Sequence, residues 1–532
     1  MSDAVFLGVD VGTGSARAGL FDASGTMLAS AKRDIRMWRE AGDIVEQSSE
    51  DIWSAICASV RDALAEAAID PARVAGIGFD ATCSLVVLGE GGAPLTVSPS
   101  GDLARNIIVW MDHRAIDQAE RINATGHDVL RYVGGVISPE METPKLLWLS
   151  ENMPQTYGAA WQFFDLADYL SWRATGSLDR STCTVTCKWT YLAHEDRWDP
   201  DYFRSIGLGD LADQDFARIG QTVVAPGTPL GSGLTPDAAE DLGLNPGTPV
   251  AAGLIDAHAG GIGTVGAEGS PQSNLAYVFG TSSCTMTSTS DPVFVPGVWG
   301  PYYQAMVPGL WLNEGGQSAA GAAIDQLLSF HPAAAEARET ARAAGQSLPV
   351  WLASRAEALA GAEGVVALAK GLHVVPEFLG NRAPFADPHA RALIAGLGMA
   401  RDADSLVALY IAGLSGIGYG LRQIIETQDR AGASVDRIVI SGGAGQLPLV
   451  RQLLADAAGR PVVAVAAEEP VLLGSAILGA VAAGSFAQMP DAMGRMTHKS
   501  SVYDPDPAAE AVHDRRYDAF CKLQELGRSL RD

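Results

Sequence analysis

The chain has 532 residues, too many for one hydrophobic core, so two to four domains are expected and two large lobes are the economical arrangement. Hydrophobic residues at 47% and charged residues at 19% exclude a disordered or fibrous protein. The net charge of −25 speaks against a nucleic-acid surface, because phosphate backbones are held by clustered Lys and Arg.

An acidic protein that handles anionic phosphates must gather its positive potential at a few side chains, backbone amides or a metal ion. No apolar run reaches the length of about 18 residues that a membrane helix needs, and no basic stretch leads the first strand as in a secretion signal. No membrane partner is expected. The six cysteines, Cys57, Cys83, Cys183, Cys187, Cys284 and Cys521, form no CxxC pair, which fits reduced thiols and a cytoplasmic location. Cys183 and Cys187 have the spacing of one helix face, but a zinc site is not read there.

In chain order, the apolar runs Phe6–Val9, Ala18–Phe21 and Met27–Ala31 predict strands. The first pair brackets Asp10 and a turn of Gly12, Thr13, Gly14 and Ser15. A helix from about Ser49 to Ala68 follows, with Ile52, Ile56, Val60 and Leu64 at a spacing of four and Ser48-Ser49-Glu50-Asp51 as its cap. Val74–Phe79 reads as a further strand ending at Asp80. This order implies a mixed sheet with helices packed on it.

About 270 residues later the opening pattern returns. Leu275–Phe279 is a β run, Gly280-Thr281-Ser282-Ser283-Cys284 a turn of small hydroxylic residues, and Met286–Thr289 a second strand, which suggests a duplicated domain. Small turn residues let backbone N–H groups approach an anion. Two such hairpins across a cleft would clamp a polyphosphate, with Asp10 placed for a hydrated Mg²⁺. The Gly- and Ala-rich stretch from Ala251 to Ala267, carrying Asp256 and His258, marks the lobe boundary near residue 265. A third glycine turn, Gly442-Gly443-Ala444, joins the strand Arg437–Ile440 to a helix bearing Gln452 and Asp456, and could present backbone to an adenine ring. Three regions result: 1–265, 266–485, and a tail, 486–532, expected to pack as a helix through Tyr517, Phe520 and Leu523.

Asp10 to Ser15, Gly280 to Ser283, and Gly442-Gly443 followed by Gln452 and Ala455-Asp456 resemble the phosphate-1, phosphate-2 and adenosine motifs of the FGGY carbohydrate kinases, over about residues 5 to 485. That family is two-lobed and α/β, with the duplicated actin, hexokinase and Hsp70 (ribonuclease H-like) fold. The resemblance implies ATP and Mg²⁺ as cofactors, a polyol or ketose as substrate, Asp256 of GLIDAHAGG as general base, and Gly12, Thr13, Gly14, Ser15, Gly280, Thr281, Ser282, Gly442, Gly443 and Ala444 at the nucleotide. Leu447-Pro448 departs from the Asn-Pro that relatives often carry.

Three segments resemble the pentulose site of ribulokinases. They are CTVTCKWTY with Lys188, LNEGGQSAAG with Glu314 and Gln317, and IVWMDHR with Trp110, Asp112 and Arg114. GFDATCSLVVL, with Asp80, Ala81 and the run Thr82 to Val86, resembles the D-ribulokinase branch. D-ribulose is therefore the expected substrate, with L-ribulose, D-xylulose or a pentitol as alternatives. Different classes remain open: a non-catalytic sugar-binding protein, against which Asp10 and Asp256 count, and a chaperone-like ATPase, whose peptide-binding domain has no room in the roughly 45 residues after Ser485. His258 reads as structural; Lys145 and Arg382 read as lobe contacts, and Trp148 as core. A homodimer is an open possibility without a legible interface.

Overall fold

The computed structural model describes residues 4–40, 43–361 and 364–531. The strands Val5–Val11, Ser15–Asp22 and Met27–Asp34 form an antiparallel meander. Val74–Ala81 lies parallel to Val5–Val11 on its other side, and Leu254–Ile255 extends the sheet beyond it. The helix Ser49–Ala67 covers this sheet. Ser48 caps it by accepting from the Asp51 N–H, and Ile52, Ile56 and Val60 are its buried stripe.

The second half repeats the plan. Asn274–Phe279, Ser283–Thr289 and Trp311–Gln317 make the meander, and Arg437–Ser441 and Val462–Val465 add parallel strands beside Asn274–Phe279. Trp299–Tyr303 is an extra edge strand next to Trp311–Gln317. The two sheets share one strand order, as a duplicated domain requires.

The structure corrects four expectations. The first strand runs through Asp10 to Val11, so Asp10 ends a strand instead of opening the turn. The tail is not wholly helical: Lys499–Tyr503 pairs antiparallel with Val462–Val465 and closes the edge of the second sheet, and only then does the helix Glu510–Ser529 pack through Phe520. Pro470–Ala482, assigned above to the second lobe, packs against the first lobe's sheet. Its close approach is enforced by glycine, since a Cβ on Gly8 or Gly78 would sit 2.0 Å from the Leu472 or Ser475 carbonyl oxygen. Finally, the helix Ala403–Ala431 is long and apolar enough to cross a membrane by length and composition, although 78% of its most apolar window is buried inside the fold. Gly413, Ser415 and Tyr419 within it hid that run from a residue-by-residue reading.

A third, all-antiparallel sheet escaped the sequence reading. It orders Met37–Glu40, Ile44–Gln47, Ile107–Ile108, Leu85–Leu88 and Gln162–Asp165, and it sets Trp110 just past the end of Ile107–Ile108.

Candidate active site

The parallel pairing of the first two core strands sets Asp10 beside Asp80. Hairpin register sets Arg17 opposite Asp10, and the two form an ion pair. Arg17 also reaches Glu469 at 2.7 Å. Asp80 is fully buried and accepts a hydrogen bond of 2.5 Å from the Ser475 hydroxyl on Pro470–Ala482. Burial, then the charge of Asp10, holds the Asp80 carboxyl far above the usual range; burial raises Asp10 as well.

Asp256 opens the helix Asp256–Val265 and accepts from the Ala257 N–H at 2.7 Å. Burial and the negative charge of Asp10 push it up to about 6, while His258 and Lys188 pull the other way. Its carboxyl thus lies within electrostatic reach of both Asp10 and Lys188.

Lys188 stands in the last turn of the helix Thr182–Trp189, with its ammonium 5.5 Å from the centre of the Trp299 ring. Burial alone would lower it, but the surrounding acidic groups raise it overall, and of these Glu314 is the one that is ionised. Glu314 comes from Trp311–Gln317 in the other sheet. Burial works against its charge, yet a hydrogen bond from His258 and the nearby Lys188 hold it at about 2. Glu140, Lys188 and Arg382 also face one another electrostatically.

The Gly12 N–H bonds to the Ser15 carbonyl at 3.0 Å and the Gly280 N–H to the Ser282 carbonyl at 3.0 Å, so each hairpin closes on itself, the first turn one residue longer than the second. The carbonyls of Gly280 and Thr281 accept from Gly321, Ala320 and Ala322 at the start of the helix Gly321–Ser329, which fixes the second turn. Thr13 is held twice: its carbonyl accepts from Gln47 at 2.8 Å and its hydroxyl from the Trp110 indole at 3.0 Å. Gly14, Thr281 and Gly443 remain exposed to an incoming group. Gly442 has φ +93°, and a Cβ there would lie 2.4 Å from the Phe279 carbonyl oxygen, so only glycine fits. Ala444 is half-buried beside it.

Lys188 lies within electrostatic reach of both Asp256 and Glu314, and each phosphate turn ends an antiparallel hairpin. Asp80, expected at the sugar, turns instead to Asp10 and Ser475, because the parallel register puts it on the face of Asp10. Ala81 is also corrected: it is fully buried in the core and pairs with Val11 and Ile255. Trp110 braces the first hairpin through Thr13. Asp112 and Arg114 form a buried cluster with Glu46, the Arg114–Glu46 distance being 2.9 Å, and serve the small antiparallel sheet. Gln317 spends its amide on Tyr277, Ser283 and the Ile417 carbonyl. Gln452 and Asp456 hold the Asp504–Asp506 loop of the tail, at 2.8–2.9 Å. The sequence reading missed Arg17, Glu469 and Ser475. Arg17 was reachable, since a short turn fixes hairpin register and so the partner of Asp10.

A strand-ended acidic cluster between two duplicated lobes, each with a small-residue hairpin, defines a phosphotransferase of the two-domain actin-like fold. Comparison with known proteins makes this specific. The N-terminal and C-terminal domains of the FGGY family of carbohydrate kinases match residues 5–263 and 275–483. The chain is 48% identical over 531 residues to the FGGY carbohydrate kinase domain-containing protein of Homo sapiens, covering 98% of this chain and 96% of that protein. It is 38% identical over 557 residues to a D-ribulokinase of Saccharomyces cerevisiae, covering 98% of this chain and 76% of that one. A xylulose kinase structure from Rhodospirillum rubrum shares the fold with a TM-score of 0.81 at 23% identity, over 98% of both chains. A Plasmodium falciparum glycerol kinase with ADP does so with a TM-score of 0.80 at 15% identity, over 98% of both chains. The chain belongs to the FGGY family of carbohydrate kinases, and it is a sugar kinase.

Proposed function

We propose that this kinase transfers the γ-phosphoryl group of ATP to a pentulose, D-ribulose before other pentuloses, giving D-ribulose 5-phosphate in the cytoplasm. The observation that carries this reading is the position of Asp256: it leaves the strand Leu254–Ile255, which pairs with Asp80–Ala81 beside Asp10, and opens the helix whose His258 bonds to Glu314 of the sugar group. A base between donor and acceptor is what the reaction needs. The 38% identity to a D-ribulokinase supports the choice of sugar.

In the proposed reaction the sugar hydroxyl oxygen bonds to the γ-phosphorus as the bond to the ADP oxygen breaks, and Asp256 takes the hydroxyl proton. Lys188 and Glu314 offer a donor and an acceptor to the sugar's other hydroxyls. The turns at Gly12–Ser15 and Gly280–Ser282 offer backbone N–H groups to the phosphates, and Gly442 to Ala444 a flat wall for the base. Among the described residues no three His, Cys, Asp or Glu side chains converge as direct ligands of one metal ion. Asp10 nevertheless suits a hydrated Mg²⁺: burial and crowding by Asp80 and Asp256 leave negative charge there that a cation would relieve. Bound at Asp10, the ion would offset charge on the β- and γ-phosphates during transfer.

The test is kcat/KM from ADP release across D-ribulose, L-ribulose, D-xylulose, pentitols and glycerol. D-ribulose is expected to lead. A better rate on D-xylulose or glycerol would reject the D-ribulose assignment.

A further inference from the structure

Resting on the reading of Glu314 as a sugar ligand, we propose that Cys183 and His258 are positioning residues that pin the Glu314 carboxylate for the incoming ketose and so set which hydroxyls the enzyme prefers. The three side chains form a line. The Cys183 Sγ lies 3.0 Å from His258 Nδ1, and His258 Nε2 lies 3.2 Å from Glu314 Oε2. They arrive from three elements: the helix of Lys188, the helix opened by Asp256, and the strand Trp311–Gln317. Cys183 and His258 are fully buried and Glu314 is 6% exposed.

The chemistry of the ring assigns the protons. An ionised carboxylate only accepts, so His258 Nε2 must carry hydrogen toward Glu314. Nδ1 is then left to face sulfur, either accepting from a thiol or donating to a thiolate. The sulfur also accepts from the Ile255 N–H at 3.3 Å, and Cys187, one turn along the helix, hydrogen-bonds to it as well. Burial pushes the Cys183 thiol up, but these bonds and His258 bring it down to about 5, and the same contacts lift His258 to about 10 against its burial. In either protonation state His258 Nε2 keeps its hydrogen and donates it to Glu314. The carboxylate thereby sets which ring nitrogen bears hydrogen, while the sulfur contact at Nδ1 holds the ring in place and the ring in turn holds the carboxylate. Among the described residues only Oε2 of Glu314 is hydrogen-bonded, which leaves Oε1 for a sugar hydroxyl. Unpinned, the carboxylate would swing toward Lys188, whose charge it already feels.

The experiment compares Cys183→Ala, Cys183→Ser and Glu314→Ala in the full-length enzyme, with KM measured separately for D-ribulose and for ATP. Cys183→Ala is expected to raise the ketose KM about tenfold, to leave the ATP KM unchanged, and to narrow the preference for D-ribulose over D-xylulose. Cys183→Ser, which keeps a hydrogen-bonding atom for Nδ1, should recover most of that loss. Should Cys183→Ala fail to fold, as judged by circular dichroism, His258→Gln is expected to raise the ketose KM by itself. Equal losses in the Ala and Ser variants, or an ATP KM rising in step, would reduce Cys183 to packing and overturn the proposal. A ketose KM that responds to Glu314→Ala but not to Cys183→Ala overturns the relay alone. No response to Glu314→Ala removes the sugar-ligand reading beneath it.

Discussion

Asp256 is the residue whose protonation governs the proposed reaction. Its carboxyl titrates at about 6, above the ordinary aspartate value, because burial and Asp10 disfavour its charge. A general base works only when deprotonated, so kcat/KM for the sugar should climb as pH rises through about 6 and level off above it. Asp256→Asn should remove that acid limb and lower kcat by roughly 10²–10⁴-fold while ATP and sugar still bind, as calorimetry would show. A near-normal kcat in this variant would end the assignment. Asp10 makes the complementary case. It sits with Arg17 and Asp80, away from the Lys188 and Glu314 group, so Asp10→Asn should lose Mg²⁺-dependent turnover yet bind D-ribulose with near wild-type affinity. Loss of sugar binding in a folded Asp10→Asn protein would show that the two groups are not separate.

The hairpins and the capped helix were legible because their signals are local. Alternating apolar runs flank Gly12 to Ser15 and Gly280 to Ser283, and Ser48 precedes a stripe at a spacing of four. What stayed hidden depends on pairing across the chain. Lys499–Tyr503 becomes a strand only because Val462–Val465 offers an open edge, and Gln452 and Asp456 look like nucleotide contacts until the tail loop is seen bonded to them. The helix Pro470–Ala482 reads as part of the second lobe by position, but Gly479 lets it settle on Gly76 and Ile77 of the first sheet, where Gly8 and Gly78 also make room for it, and Gly474 lets it meet Ala259 of the helix Asp256–Val265. That contact can be tested. In Gly78→Ala the new Cβ would meet the Ser475 carbonyl oxygen at 2.0 Å, backbone that cannot move without shifting the helix. Overpacking of this kind costs about 1–3 kcal/mol, so thermal unfolding should drop by several degrees, at about 2–4 °C per kcal/mol. Gly14→Ala is the control, since nothing lies within 4 Å of a Cβ there. Its melting temperature should hold, while the ATP KM rises as the methyl group crowds the phosphate turn.

Across the whole molecule, a chain of net charge −25 sets the cations of its site against carboxylates: Lys188 and Arg382 lie near Glu314 and Glu140, and Arg17 pairs with Asp10. In the proposed reading, anionic ATP is met by backbone amides and a few guarded charges instead of a basic surface. Lobe duplication supplies the two hairpins, and the crossing helix Pro470–Ala482 with its N-cap Glu469 ties Ser475 to Asp80 and Glu469 to Arg17. Such an arrangement transfers a phosphoryl group only if the acceptor hydroxyl displaces water; otherwise ATP is hydrolysed. The most direct measurement is the nuclear magnetic resonance spectrum of the product formed from D-ribulose and ATP, with ADP quantified in the same sample. The account predicts one ADP for each sugar phosphate and a phosphorus coupled to the C5 protons of ribulose. ADP with free inorganic phosphate and unmodified sugar, or a phosphate on another carbon, would contradict it.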